Sequence, residues 1–266
     1  MLGFLIKKNF FDLWDNLFRI ALINLGFIAS AAIPALPAFF PGLIYIPALS
    51  IAVTAIGILW CCVYLSAAAL SVRAISDYGS FGFGDFFRNL KTGLPAGLCM
   101  GAAILLLVLM ATEIIPFYLG MNSLFGLFLA ALIFWTVVIA ICSLQFFFAI
   151  RARLDTKLVK VFKKCFIIFF DNPGFAVFIL LHNAAMLILS ALLAFLIPGP
   201  AGVLLFIDEA LRLRLLKYDW LEANPESEAG EKRSRRRTIP WDALLIEERE
   251  KTGSRSLKNF IFPWKY

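Results

Sequence analysis

The 266-residue chain is 61% hydrophobic and only 16% charged, and its mean hydropathy is +0.86. Soluble domains carry about 25% charged residues, and the core of a chain this short cannot absorb so much apolar surface, so lipid has to cover part of it. The net charge of +7 does not indicate a nucleic-acid-binding protein, because the basic residues flank apolar segments and form no separate basic domain.

The 25 Lys and Arg residues fall into four blocks separated by long, almost uncharged intervals. Residues 20–72 contain no charged residue, residues 92–150 contain one, and residues 165–211 contain three. A membrane-spanning helix needs ~20 apolar residues, so each interval is long enough for two crossings. Two crossings return the chain to its starting side. All four basic blocks are therefore predicted on one side, which the preference of Lys and Arg identifies as the cytoplasmic side.

The first predicted unit begins with an amphipathic helix at residues 3–19, where Phe, Leu and Trp mix with Lys, Asp and Asn. Crossings follow at about 20–40 and 48–72, joined by a Pro-rich outer turn. A cleavable signal peptide is the alternative, because basic residues precede the apolar run. Acidic residues interrupt that basic region, however, and the apolar run continues well past the Ala-Ser-Ala sequence at 29–31.

Two further units of the same kind follow along the chain. Short amphipathic stretches containing Phe86 and Lys157 each precede a predicted pair of crossings. The four remaining crossings are predicted at about 94–115, 124–150, 174–197 and 201–218. The amphipathic pieces begin near residues 4, 81 and 157, about 76 residues apart, which favours a hairpin unit used three times. The alternative is that any six-helix protein shows a similar spacing of its helices without an internal repeat.

The sixth crossing is the least regular, because Asp208 and Glu209 interrupt it. A charge at membrane depth costs at least ~2.5 kcal/mol unless it is paired or hydrated. On a helix Arg212 lies within reach of both carboxylates, so we expect it to pair with them. The alternative, five crossings with an external tail, would place the Arg-rich residues 233–237 outside, against the positive-inside tendency.

The last part of the chain differs in composition from the rest. Residues 223–239 are polar and predict a flexible linker. In the tail at 240–266, Pro240 and Gly253 bound a short predicted helix at 240–252. The aromatic terminus either docks on an apolar surface or anchors in the membrane interface. Four aromatic residues of the tail are candidate partner contacts: Trp241, Phe260, Phe262 and Trp264.

No catalytic signature or cofactor-binding motif is visible, so we predict a non-enzymatic protein without a cofactor. The five cysteines are interpreted as thiols in or beside apolar segments, and a single His excludes a multi-His metal site. The candidate intramembrane polar site comprises His182, Asp208, Glu209 and Arg212. Each of these residues has a structural role as its alternative. His182 would then be a neutral imidazole that is hydrogen-bonded to a neighbouring helix, and the three charged residues would be hydrated near the basic surface.

Two charged pairs stand where predicted helices leave the membrane on the basic side. Arg73 and Asp77, and likewise Arg151 and Asp155, are spaced i,i+4. Exposed pairs of this kind contribute less than ~1 kcal/mol to stability. We therefore interpret these four residues as candidate partner contacts, or as groups that orient the helix exits.

The chain before the linker resembles the YesL-type family of bacterial membrane proteins, whose function is not established. The resemblance rests on the amphipathic start that ends in residues 12–19 (DLWDNLFR), the Pro/Ala/Leu-rich stretch 41–53, the Phe-Phe-Arg-Asn loop at 86–89 and the hairpin organisation. Members of that family often occur beside carbohydrate importers of the ATP-binding-cassette type. The resemblance therefore implies an accessory role, with importer permease or ATPase subunits as partners.

These observations predict an all-α inner-membrane protein with six crossings arranged as three hairpins, each preceded by an interfacial amphipathic helix. Both termini are expected in the cytoplasm. The first functional hypothesis is an accessory subunit that binds another membrane complex, and the second is a transporter or channel with a polar path near the candidate site. A membrane enzyme is the remaining alternative. The expected partners are the lipid bilayer and a membrane protein. A homo-oligomer is also compatible with the sequence, and no nucleic-acid partner is expected.

Overall fold

The computed structural model describes residues 1–40, 42, 45–224, 239–253 and 255. Within these residues the chain is helical and contains no strand. The elements in chain order are α1 (Leu2–Asp15), α2 (Leu17–Phe39), α3 (Pro47–Ser76), α4 (Phe83–Leu109), a π-helix (Met110–Ile114), α5 (Ile115–Gly120), α6 (Leu124–Leu144), α7 (Phe147–Arg153), α8 (Leu158–Asp171), α9 (Pro173–Leu192), α10 (Gly199–Ala223), α11 (Trp241–Leu244) and α12 (Ile246–Thr252).

Five stretches of helix are long and apolar enough to cross a membrane, which confirms the prediction of an all-α protein of the membrane type. They are Leu17–Phe39, Pro47–Ser76, Phe83–Gly120, Leu124–Arg153 and Pro173–Leu192. The predicted sixth crossing at 201–218 falls in α10, which is 25 residues long but does not reach that apolar threshold. The count of six and the hairpin arrangement stay predictions.

Helix α10 is the central helix of the bundle. It contacts α1, α2, α3, α7 and α9, and every residue from Leu204 to Leu211 is buried. A helix that is covered on all sides meets protein rather than lipid or water. Asp208 and Glu209 of α10 are therefore placed against other helices, and this placement creates the polar cluster described below.

The turn before α10 is held inside the protein by Asn24 of α2, which is fully buried. Its amide nitrogen donates to the carbonyl oxygens of Leu196 and Pro198, both at 2.8 Å, and its oxygen accepts from the backbone N–H of Ala201 at 2.8 Å. The Ser190 hydroxyl accepts from the N–H of Gly199 at 2.8 Å. Irregular backbone at such depth requires internal partners of this kind.

Helices α3 and α4 pack closely because α4 presents glycines at i,i+4 spacing, at positions 93, 97 and 101. A Cβ atom added at Gly93 would lie 2.8 Å from Ser66 Oγ, and one at Gly101 would lie 2.9 Å from Leu59 Cδ2. Small residues in this spacing let helix backbones approach closely within a membrane, where packing drives association.

The amphipathic segments differ from their predictions in two respects. The polar residues Lys8, Asn9 and Asp12 of helix α1 are buried against the bundle instead of facing water, while its location at the headgroup level stays a prediction. The segment around Phe86 is not a separate helix, because α4 runs without interruption from Phe83. The first and third segments each form a helix of their own, α1 and α8.

Candidate functional site

Charged residues from five elements converge at one end of the bundle, where α3 and α7 end. We call this cluster the ion network. It comprises Lys8 and Asp12 of α1, Asp77 after α3, Arg153 of α7, Asp208, Glu209 and Arg212 of α10, and Glu248 of α12. Because α10 is central, its acidic residues meet cations supplied by the helices around it.

Lys8 is fully buried at the centre of the ion network. Its ammonium group donates to the Asp12 carboxylate, one helical turn away, and to the backbone carbonyl of Ser76 at 3.2 Å. The same ammonium lies 4.1 Å from the ring centroid of Tyr78. A buried ammonium requires several such partners, because an unpaired charge in this environment would cost several kcal/mol.

Arg153 joins α7 to α10 and to the end of α3. Its Nε and Nη2 atoms donate to the two carboxylate oxygens of Asp208 at 2.8 and 2.5 Å. The remaining donors reach Asp77 Oδ1 and Ser76 Oγ, both at 2.9 Å. The planar guanidinium fork matches a carboxylate in this bidentate geometry, so Asp208 is neutralised by another helix.

Arg212 binds the end of α3 and the C-terminal helix α12. It donates to the Ser76 carbonyl at 2.6 Å, to Asp77 Oδ1 at 2.9 Å and to Glu248 Oε1 at 2.6 Å. The predicted pairs of Arg212 with Asp208 and Glu209 are therefore wrong. Pairing within α10 would leave buried groups on the neighbouring helices without partners, whereas the observed pairs satisfy both sides.

Glu209 is the least compensated member of the ion network. Its side chain is fully buried, and its nearest cation is Lys8, with Nζ 3.6 Å from Oε1. Within the described residues neither carboxylate oxygen accepts a well-aligned hydrogen bond, and its other polar neighbours are Asn9 and Asp12. A buried acid without hydrogen bonds is expensive in its ionised form, so a proton on Glu209 would lower its burial cost.

The C-terminal helix α12 closes the ion network from outside. Leu245, just before α12, is fully buried in the core, and Glu248 and Thr252 are 5% and 3% exposed. The Tyr78 hydroxyl donates to Glu248 Oε2 at 2.8 Å. Burial raises the pKa of Tyr78, so the phenol keeps its proton and stays a donor. At the edge of the contact, Arg255 binds Asp15 at 2.8 Å.

His182 lies apart from the ion network, although the sequence analysis placed it in the same candidate site. Its ring stacks on Phe206 with a centroid distance of 3.8 Å, and its Nδ1 atom is buried without a hydrogen-bond partner among the described residues. The structure thus brings Asp208, Glu209 and Arg212 into one cluster and leaves His182 as an aromatic neighbour of α10.

The two predicted exit pairs behave differently. Arg73 Nε lies 3.5 Å from the Asp77 carboxylate, and Arg73 also donates to the Ala152 carbonyl. Arg151 does not pair with Asp155, which instead accepts from the Lys157 backbone N–H at 3.0 Å. That hydrogen bond lowers the pKa of Asp155. The pairing fails because α7 ends at Arg153, so the two residues do not share a helix.

Trp241, a predicted partner contact, is partly buried and packs against the core of its own chain. It lines a cavity of about 880 Å³ together with Leu2, Phe175 and Arg214. The other aromatic partner contacts, Phe260, Phe262 and Trp264, lie outside the described residues. Within the part of the chain that is described, no three His, Cys, Asp or Glu side chains converge closely enough to hold a metal ion.

No protein-family model, curated protein or solved structure matches this chain. The resemblance to the YesL-type family therefore stays a prediction.

Sequence reasoning missed four members of the ion network: Lys8, Asp12, Arg153 and Glu248. One signal was available, because Lys8 and Asp12 are spaced i,i+4 within an otherwise Phe- and Leu-rich helix. Arg153 and Glu248 carry no comparable local signal, since their partners are distant in sequence.

Proposed function

We propose that this chain is a non-enzymatic accessory protein of the bacterial inner membrane that binds another membrane complex through the end bearing the ion network. In this proposal that end faces the cytoplasm. Helix α10 is the sixth membrane crossing, so the number of crossings is even and both termini are cytoplasmic. The basic residues around this end support the orientation, because Lys and Arg favour the cytoplasmic side.

The observation that carries the proposal is the docking of α12 on the ion network. Glu248 is held by Arg212 at 2.6 Å and by Tyr78 at 2.8 Å, so the C-terminal segment and the bundle form one continuous surface. That surface leaves Ile246 53% exposed, and Asp242 and Glu247 are exposed beside it. We propose Ile246 as the apolar centre of the partner contact and the two acids as part of its polar rim.

A carbohydrate importer of the ATP-binding-cassette type is the partner class that we propose, and this choice rests on the family resemblance alone. The test is purification of the full-length chain at native expression level in mild detergent, followed by identification of stoichiometric companions. We expect importer subunits with the native chain and with Glu113→Gln, which changes an exposed carboxylate of the π-helix outside this patch, and fewer of them with Glu248→Gln. A chain that purifies alone in all three cases would reject the accessory function.

Transport by the chain itself is the second candidate, and the environment of Glu209 favours it. A fully buried carboxyl group whose cation, Lys8, lies 3.6 Å away, and which shares its site with the carboxylate of Asp12, is a candidate proton-binding group. Reconstitution into liposomes tests this candidate: Glu209→Gln should abolish proton-coupled flux, while Glu247→Gln should leave it unchanged. Unchanged flux in Glu209→Gln would reject this candidate.

A further inference from the structure

A second feature of the molecule, away from the ion network, is a lateral groove of about 490 Å³ between the start of α2, α3 and the start of α4. Its volume falls within the ~300–1,000 Å³ of typical ligand sites. We call it the α2–α4 groove. Its lining consists of Phe18, Arg19, Leu22, Ile23, Gly26, Tyr64, Phe81, Gly82, Phe83, Phe86 and Phe87.

The side chains that line the α2–α4 groove offer mainly apolar surface. The hydroxyl of Tyr64 already donates to the Ile23 carbonyl at 2.8 Å, so the groove meets the phenol ring rather than its polar end. The N–H of Gly82 donates to Asp85 at 3.0 Å. The side chains of this groove offer an extended peptide few hydrogen-bond partners, whereas a hydrocarbon chain needs none.

Arg19 is the charged residue in the lining, and its charge is not neutralised within the described part of the chain. Its guanidinium donates to the neutral side-chain oxygen of Asn16 at 3.0 Å. The nearby acids are engaged elsewhere, since Asp15 binds Arg255 and Asp85 binds Arg88. A free cation at the end of an apolar groove complements a molecule with an anionic head and a hydrocarbon tail.

We propose that the α2–α4 groove binds one acyl chain of an anionic phospholipid, whose phosphate pairs with Arg19. Exposed aromatic rings border the groove, with Phe18 72%, Phe83 66% and Phe87 69% exposed. Arg19 stands near the start of α2, at the end of that helix where basic residues cluster, and anionic lipids attract basic residues at a membrane surface. Apolar walls select the hydrocarbon, and Arg19 selects the charge of the head.

The test is lipid titration of the purified full-length chain by native mass spectrometry, with phosphatidylglycerol and phosphatidylcholine of identical acyl chains as probes. The native chain should bind one phosphatidylglycerol more tightly than phosphatidylcholine. Arg19→Gln should weaken phosphatidylglycerol binding about fivefold, the factor that matches the ~1 kcal/mol one basic residue contributes near an anionic surface. It should weaken phosphatidylcholine binding less, because the choline cation of that lipid already offsets the charge of its phosphate.

Two further variants separate a specific site from general attraction. Arg88→Gln removes the same charge from an exposed arginine already paired with Asp85 at 2.7 Å, and it should leave binding of both lipids unchanged. Leu22→Trp, which fills the groove, should weaken both lipids. If that variant does not fold, Phe83→Ala, which removes an exposed wall, should weaken both instead.

Three outcomes would overturn the proposal. The first is equal binding of the two lipids by the native chain, and the second is an equal loss in Arg19→Gln and Arg88→Gln. The third is full lipid binding when the groove is filled or its wall removed, which would assign the groove to another occupant, such as a helix of a partner protein. None of these readouts depends on the proposed accessory function.

Discussion

Replacing Glu248 by Gln removes one negative charge from the contact between α12 and the bundle while keeping the side-chain shape. Glu248 is 5% exposed and accepts from Arg212 at 2.6 Å and from Tyr78 at 2.8 Å. A hydrogen bond to a charged group contributes ~1.5–3 kcal/mol. The amide oxygen of Gln still accepts one hydrogen bond, so we expect the variant to lose about one charge-assisted bond, roughly 2 kcal/mol of docking free energy.

A loss of this size should raise the population of undocked α12 about 30-fold, because 1.4 kcal/mol is a factor of ten in an equilibrium constant. Hydrogen exchange of the amides in 246–253 measures that population directly, since local opening exposes them. Amides of α3 and α10 report on the rest of the bundle and should keep their native protection, because these two helices pack mainly against each other and against α1, α2, α4, α7 and α9.

Glu247→Gln is the matched control, since Glu247 is the preceding residue and lies exposed. Surface changes of this type stay within about 0.5 kcal/mol, so exchange in α12 should stay near its native rate. If the two variants exchange equally fast, or if Glu248→Gln keeps native protection, the argued contact of Glu248 with Arg212 and Tyr78 does not hold α12 in place.

Three other predictions concern the bundle and its tail. Gly97→Leu should lower the free energy of unfolding by about 1–3 kcal/mol through overpacking against Val63 of α3, whereas Gly84→Leu, with open space around it, should be neutral in the same thermal-melt assay. Asn24→Ala should cost about 1–3 kcal/mol for each turn group left without a partner, and equal melting temperatures for the variant and the native chain would contradict this. The raised pKa of Tyr78 means that its contribution to docking is present below the ordinary phenol pKa of 10.0 and is lost as pH rises further; Tyr78→Phe should remove that alkaline dependence from the exchange rates of α12, and a dependence that persists would contradict it.

The apolar intervals of the sequence were sufficient to predict the helical membrane architecture, because length and hydropathy are properties of the chain itself. They did not define the role of α10. Asp208 and Glu209 marked that helix as irregular. Arg212 was their predicted ion-pair partner, because a sequence reveals only pairs that are close along one helix. The actual partners of these acids, Arg153 and Lys8, lie far away along the chain.

Amphipathic pattern also left the orientation of α1 open. The pattern identified a helix with one polar face, but whether that face meets water or protein depends on what surrounds it. Lys8 and Asp12 face the acids of α10, so the polar face is buried. Asn24 is similar, since its role depends on a turn that begins more than 170 positions later in the chain, with contacts separated by 172 to 177 residues.

Crosslinking in native membranes tests most directly whether the C-terminal segment docks at the end bearing the ion network. In a background without the natural cysteines, Asp15→Cys and Arg255→Cys replace an exposed ion pair at 2.8 Å, and a short bifunctional maleimide can join them. We expect an efficient intramolecular crosslink with this pair and none when Arg255→Cys is combined with Asn122→Cys in the turn before α6. Failure of the first pair to crosslink, or equal crosslinking of both pairs, would contradict it.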